Sequence, residues 1–181
     1  TESNEFAIGK KAPDFKLINT IDDKIYVLET LKGKKGTVIM FTCNHCPFVI
    51  HVNNELVKMA NEYQEKGINF IAISSNDVVN YPQDSPELMK KLAKDLNYPF
   101  PYLYDETQQV AKNYNAACTP DFYVFNAGLK AIYHGQLDNS RPGNGKPVTG
   151  SDLRNSLKNL LENKSVVENQ KPSMGCGIKW K

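Results

Sequence analysis

The strongest constraint on the fold is the run Thr37-Val38-Ile39-Met40-Phe41, followed at once by Thr42 and Cys43-Asn44-His45-Cys46-Pro47. A short, almost wholly apolar run of this length fits a central strand covered on both faces. Pro47 then stands in the first turn of a helix, where proline is favoured. Val49, Val52, Leu56, Met59, Ala60 and Tyr63 follow at helical spacing and give one buried stripe. The two cysteines therefore sit where a buried strand ends and a helix begins. Their reactive form is the thiolate, and the free N–H groups and dipole of a helix N-terminus stabilise negative charge there. Such settings bring a thiol from about 8.5 down to roughly 3.5–7.5. Cys43, nearer the mouth, is the expected nucleophile, and Cys46, one turn further in, the resolving thiol. His45 lies between them, and a positive charge on its ring favours the thiolate.

The rest of the chain alternates strands and helices. Ala12–Leu17 and Lys24–Leu28 read as strands with a turn over 19–23. Ile68–Ser74 reads as the next buried strand after Gly67 stops the first helix. Ser85-Pro86-Glu87 opens a second helix to about Asn97, with Ser85 as its N-cap. Pro99–Tyr104 is short and β-like, and Thr107–Tyr114 a third helix. Asp121–Asn126 and Lys130–Gly135 form a hairpin turning at Ala127-Gly128. A Gly/Pro-rich loop over 138–150 leads to a closing helix, Ser151–Asn163, with Leu153, Leu157, Leu160 and Leu161 inward. This order predicts an α/β protein: a central mixed β-sheet flanked by helices on both faces, preceded by a β-hairpin extension. One domain over 1–164 is expected, with a tail over 165–181. Met174, Ile178 and Trp180 in that tail predict that it docks on the domain.

Composition removes several function classes. A net charge of +2 across 181 residues offers no basic face for nucleic acid or for a membrane surface. The two arginines, Arg141 and Arg154, do not make an arginine-rich phosphate reader. No apolar run approaches the roughly 18 residues of a membrane helix. The polar start, Thr-Glu-Ser-Asn-Glu, carries no secretory apolar region, and a cytoplasmic setting is expected. Four cysteines are too few for a disulfide scaffold. A C-x-x-C pair amid β-α-β patterning reads as redox-active. Zinc asks for four ligands, and there is neither a second C-x-x-C nor an H-x-x-x-H. Cys118 or Cys176 with His45 leaves a metal-binding or redox-sensing module open as an alternative.

Cys118-Thr119-Pro120 is the second signal, directly before a predicted strand. Its functional reading is a proline loop that faces the dithiol, where Thr119 and Pro120 offer backbone contacts to a substrate. Cys118 is either a small buried residue or an additional redox thiol, and Cys176 is a candidate third redox thiol. His51 reads as a helix-surface residue, Arg141 as a loop anchor or a contact for an acidic group, and Asp121 as a turn former.

Several stretches resemble one known family. These are Gly9-Lys-Lys-Ala-Pro13-Asp14-Phe15-Lys-Leu17, Leu31-Lys-Gly33-Lys, Val38–Phe41, Cys43–Cys46 and Thr119-Pro120 at the expected distance. Together they resemble the thioredoxin-like superfamily, in its alkyl hydroperoxide reductase/thiol-specific antioxidant (redoxin) branch. Tyr98–Thr107, Ala117–Phe122, Asp138–Gly145 and Ser173–Lys181 are similar to a peroxiredoxin-like subgroup of that branch. The resemblance implies a thioredoxin-like fold, a cis proline at Pro120, and thiol-disulfide oxidoreductase or antioxidant peroxidase chemistry without a cofactor or metal. It also implies small-molecule or protein disulfide and thiol substrates, an electron donor it does not name, and a monomer or homodimer. The sequence departs from the peroxiredoxin P-x-x-x-T-x-x-C pattern: counted back from Cys46, Cys43 replaces the threonine and Ile39 the proline. The arginine expected before the late strand is replaced by Thr119-Pro120. Donors that stabilise the departing oxygen of a peroxide are thereby missing from the pattern, and disulfide exchange is the leading expectation.

Overall fold

The computed structural model describes residues 1–165 and 170–181. Its strands and helices run β1 (Lys16–Asn19), β2 (Ile25–Val27), α1 (Leu28–Leu31), β3 (Gly36–Phe41), α2 (Pro47–Gln64) and β4 (Ile68–Ser74). After a 3-10 turn at Pro82–Asp84 come α3 (Pro86–Asp95), β5 (Tyr102–Tyr104), α4 (Gln109–Asn113), β6 (Cys118–Thr119) and β7 (Asp121–Asn126). The chain ends with β8 (Ala131–Gly135), α5 (Ser151–Leu161) and β9 (Cys176–Gly177). Seven strands form one sheet in the order β2-β1-β5-β4-β3-β7-β8, while β6 and β9 make a separate two-stranded ladder. The β3–β4 and β4–β5 pairs are parallel, and the pairs at either side are antiparallel. This is the mixed sheet that the alternation predicts.

β3 lies near the middle because all six of its residues are buried. Its pleat sends Val38 and Met40 to one face, where Val52, Leu56 and Met59 of α2, Met89 of α3 and Leu153 and Leu157 of α5 complete a core. Ile39 and Phe41 go to the other face, against Phe6, Leu28 of α1, Val110 of α4, Tyr114 and Tyr123. At about 1.5–3 kcal/mol for each large side chain fully buried, these two cores supply the main drive for folding. β3 can run this close to α5 because Gly36 has no side chain: a Cβ there would lie 2.4 Å from Leu160 Cδ2.

Element ends differ from the sequence expectation where backbone donors are withheld or already used. Ala12 N donates to Leu129 O at 2.8 Å, so the stretch around Pro13 bonds to the β7–β8 turn and β1 begins only at Lys16. Pro99 and Pro101 lack N–H groups, and β5 begins after them. Gln108 takes φ 66°, which delays α4 to Gln109. Ser85 caps α3 as expected, its Oγ accepting from Leu88 N. Leu160 and Leu161 are only half-buried, since α5 stops at Leu161.

Residues 170–181 lie against the domain. β9 pairs with β6, Cys118 opposite Gly177 and Thr119 opposite Cys176. Gln136 N donates to Lys171 O, Ile178 N to Ala117 O and Asp77 N to Lys179 O. Ile178 is buried in the second core. Two glycines permit the approach: a Cβ on Gly135 would lie 2.2 Å from Lys171 O, and one on Gly175 only 1.9 Å from Thr119 O.

Candidate active site

β3 carries the chain to Phe41, and Thr42 N still bonds to Ile73 O of β4. The chain then turns through Cys43–Cys46 into α2, with Cys46 as N-cap and Pro47 in the first turn. Val49 N and Ile50 N both donate to Cys46 O at 2.9 Å, which closes that turn. The Thr119–Pro120 peptide bond is cis and brings Thr119 up to both sulfurs. Cys43 Sγ lies 3.6 Å from Thr119 Oγ1, and Cys46 Sγ lies 3.5 Å from the Thr119 carbonyl oxygen. Cys43 does not stand nearer the mouth: each cysteine is only 1% exposed.

Charge is shared unequally between the two sulfurs. The hydrogen bond from the Cys43 thiol holds Cys46 well below the ordinary thiol range against the cost of burial. The Cys176 thiol and the backbone N–H groups of Val49 and Cys176 add to that effect. The same bond to Cys46, then burial and the nearby Asp84 carboxylate, push Cys43 far up. The two thiols titrate as a coupled pair, and the single negative charge they share lies at the helix N-terminus.

Asp84, in the 3-10 turn before α3, is fully buried. Its Oδ1 accepts from Asn44 N and sits 2.9 Å from His45 Nδ1, and its Oδ2 accepts from Asn76 Nδ2. Asn44 is further fixed by Tyr102, whose hydroxyl donates to Asn44 Oδ1 at 2.8 Å, and by its own bond to Gln83 O. His45 stacks near Tyr81. The middle of the C-x-x-C turn is thus clamped from outside the motif. Nothing local in the sequence distinguishes Asp84, Asn76 and Tyr102, and sequence reasoning missed all three.

Ligand atoms of Cys43, His45 and Asp84 lie within 4.8 Å of one another, the one such group among the described residues. The types suit zinc, yet Asp84 already accepts three hydrogen bonds in a closed arrangement.

Of the remaining candidates, Cys118 is wholly buried, and burial followed by the Asp121 charge pushes its thiol up. Cys176 is half-buried and packs with Phe48 against the Cys43–Cys46–Val49 cluster. His51 Nε2 meets Ser140 Oγ at 2.7 Å, tying α2 to the 138–150 loop. Arg141 donates to Asp138 O, Ser140 O and Gln136 Oε1, a loop anchor. Asp121 is more than a turn former: its Oδ2 is 2.9 Å from His134 Nε2, and Ser173 Oγ of the tail donates to its Oδ1.

The model of the AhpC/TSA family matches residues 8–133. The chain belongs to the AhpC/TSA family. An uncharacterised conserved protein from Geobacillus kaustophilus is 62% identical over 100% of this chain and 96% of its own, with a TM-score of 0.98. A hypothetical protein from Sinorhizobium meliloti 1021 is 41% identical over 100% of this chain and 98% of its own, with a TM-score of 0.97. Peroxidoxin BcpB from Mycobacterium tuberculosis, 17% identical over 89% of this chain and 100% of its own, has a TM-score of 0.65 and shares the fold. No curated protein matches the sequence. The fold is thioredoxin-like, and this AhpC/TSA protein has a redox-thiol function.

Proposed function

We propose that this AhpC/TSA protein is a thiol-disulfide oxidoreductase in which Cys43 and Cys46 alternate between dithiol and disulfide. The observation that carries the reading is a pair of buried sulfurs packed in one cluster at the N-terminus of α2, both beside the Thr119–Pro120 loop. One thiol of the pair attacks as the thiolate that the helix N-terminus favours, and the other resolves. Attack of the thiolate on a substrate disulfide gives a mixed disulfide, and the second thiol displaces it. Phe48, Val52, Pro120 and Phe122 line one side of a small cleft beside the proline loop, and Gln136 and Arg141 stand on its polar side, a place for a substrate's body, with Thr119 at the sulfurs. Partners are small-molecule or protein disulfides and a thiol electron donor.

Exchange is favoured over peroxide reduction because both arginines are committed elsewhere. Arg141 anchors its own loop, and Arg154 pairs with Glu55 and Glu62. Among the described residues, neither guanidinium bonds to Cys43, Cys46 or Thr119, where a departing peroxide oxygen would need a donor. The test is thiol-driven reduction of insulin disulfides. Wild type is expected to be active and both Cys43→Ser and Cys46→Ser inactive; full activity in either variant refutes the dithiol. A second reading, cation binding, draws on the Cys43–His45–Asp84 group. Elemental analysis of freshly purified protein tests it, with stoichiometric zinc as the supporting result.

A further inference from the structure

The dithiol has an access problem. Cys43 and Cys46 are each 1% exposed, so neither sulfur is offered to a partner from solvent. Exchange needs a thiolate to reach a disulfide sulfur. The structure places one more sulfur at this point, and it is the half-exposed one.

Cys176 arrives on β9, directly opposite Thr119 in the β6–β9 ladder. Thr119 is the residue whose carbonyl and hydroxyl oxygens lie against Cys46 and Cys43. Pairing with Thr119 therefore brings Cys176 to the dithiol, where it packs on the Cys43–Cys46–Val49 cluster. The seat is specific. Gly175 lies so close to Thr119 O that no side chain fits there, and Ile178 N bonds to Ala117 O beyond it. Cys46 thus interacts with two sulfurs, those of the buried Cys43 and the half-buried Cys176. Cys118, wholly buried, has no comparable position.

We propose that Cys176 is a relay thiol that carries the disulfide between the buried Cys43–Cys46 pair and thiol partners in solvent. This deepens the dithiol reading and rests on it. Starting from the Cys43–Cys46 disulfide, the Cys176 thiolate attacks Cys46 Sγ. The Cys43–Cys46 bond breaks, Cys43 leaves as thiolate and takes up a proton, and a Cys46–Cys176 disulfide forms. The number of disulfides is unchanged, so no electrons enter or leave in this step. A thiolate from an external dithiol or glutathione-like donor then attacks the half-buried Cys176 Sγ. Cys46 leaves as the thiolate that the helix N-terminus already favours, and a second donor thiol frees Cys176, oxidising the donor to its disulfide. Run in reverse, the same steps carry an incoming disulfide inward to Cys43. Cys176 is suited to act only after the dithiol is oxidised. In the reduced protein burial, then the hydrogen bond to Cys46, raises its thiol to about 11, and that second contribution disappears once Cys46 is in a disulfide.

The test uses the whole chain with oxidised and reduced glutathione as probes. Cys43→Ser protein treated with oxidised glutathione is expected to form an intrachain Cys46–Cys176 disulfide, found as a cross-linked peptide in a non-reducing digest. A persistent Cys46–glutathione adduct instead overturns the relay. In Cys176→Ser protein, the Cys43–Cys46 disulfide is expected to form at equilibrium yet to exchange with reduced glutathione at least about tenfold more slowly than in wild type. A wild-type exchange rate overturns the relay and leaves the dithiol intact. Absence of a Cys43–Cys46 disulfide from oxidised wild type overturns the dithiol and the relay with it. Cys176→Ala is run in parallel, and near-ultraviolet circular dichroism verifies that each variant is folded. Acid-quenched wild type during exchange gives the same reading without substitution, a Cys46–Cys176 peptide being expected and its absence at all times counting against the relay.

Discussion

Replacing Asp84 by Asn isolates the charge that sets the inner thiol. The carboxylate is fully buried and lies within 4.8 Å of Cys43 Sγ. A unit charge at that distance, in an effective dielectric of about 20, interacts with a thiolate by about 3.5 kcal/mol, or about 2.5 pKa units. The shift has a definite sign. Asp84 repels a Cys43 thiolate and raises its pKa, so removing the charge lowers it. Cys46 is the stronger influence on Cys43 and must be absent for the effect to be read, which calls for Cys46→Ser with and without Asp84→Asn. The assay is the pH dependence of the thiolate ultraviolet absorbance of the reduced proteins. The Asp84→Asn chain is expected to titrate about 1–2.5 units lower, the range allowing for a dielectric above the value used. Asn still offers one acceptor, but it cannot satisfy three donors, and the variant should also lose about 1–3 kcal/mol of stability in urea. An unchanged or higher Cys43 pKa refutes the electrostatic role of Asp84.

Other outcomes follow from the same geometry. Because Cys46 titrates below its unfolded value, its ionisation stabilises the reduced fold fully above about pH 8.5 and less as pH falls through the depressed value. Urea midpoints of reduced wild type relative to Cys46→Ser should therefore rise from pH 4 toward pH 8, about this range being accessible; a flat difference contradicts the assignment of charge. Leu157→Ala removes a fully buried side chain from the α5 face of the core and should cost about 2–5 kcal/mol by urea denaturation. Gly175→Ala sets a Cβ against Thr119 O and should lift β9, which alkylation kinetics would show as faster modification of Cys46 together with a lowered melting temperature; unchanged kinetics would mean that β9 does not cover the sulfur.

The parts of the molecule written in local pattern were readable from the chain alone. The buried run of β3, the stripe of α2 and the Ser85 cap depend on neighbours a few residues apart, and each stands where that pattern puts it. The proline loop was readable for the same reason, Thr119-Pro120 being adjacent. The clamp on the C-x-x-C turn was not: Asp84 and Tyr102 reach Asn44 across separations of 40 and 58 residues, and no local periodicity encodes such a meeting. The depth of Cys43 was not readable for a related reason. Sequence places Cys43 before the helix and hence outward, but depth is set by what covers the turn, and here the cover includes Thr119 and the segment around Cys176. Met174, Ile178 and Trp180 announced that the tail docks, but not where, and only the approach of Thr119 O gives Gly175 its meaning.

The β6–β9 ladder spans only two residues on each side, yet it joins positions nearly 60 apart along the chain. Contacts this remote in sequence are slow to form, and synthesis proceeds from the N-terminal end. On a translating ribosome the C-x-x-C turn, the sheet and α5 emerge ahead of residues 170–181. A nascent chain accordingly passes through a stage in which the dithiol lacks the part of its cover that residues 170–181 supply.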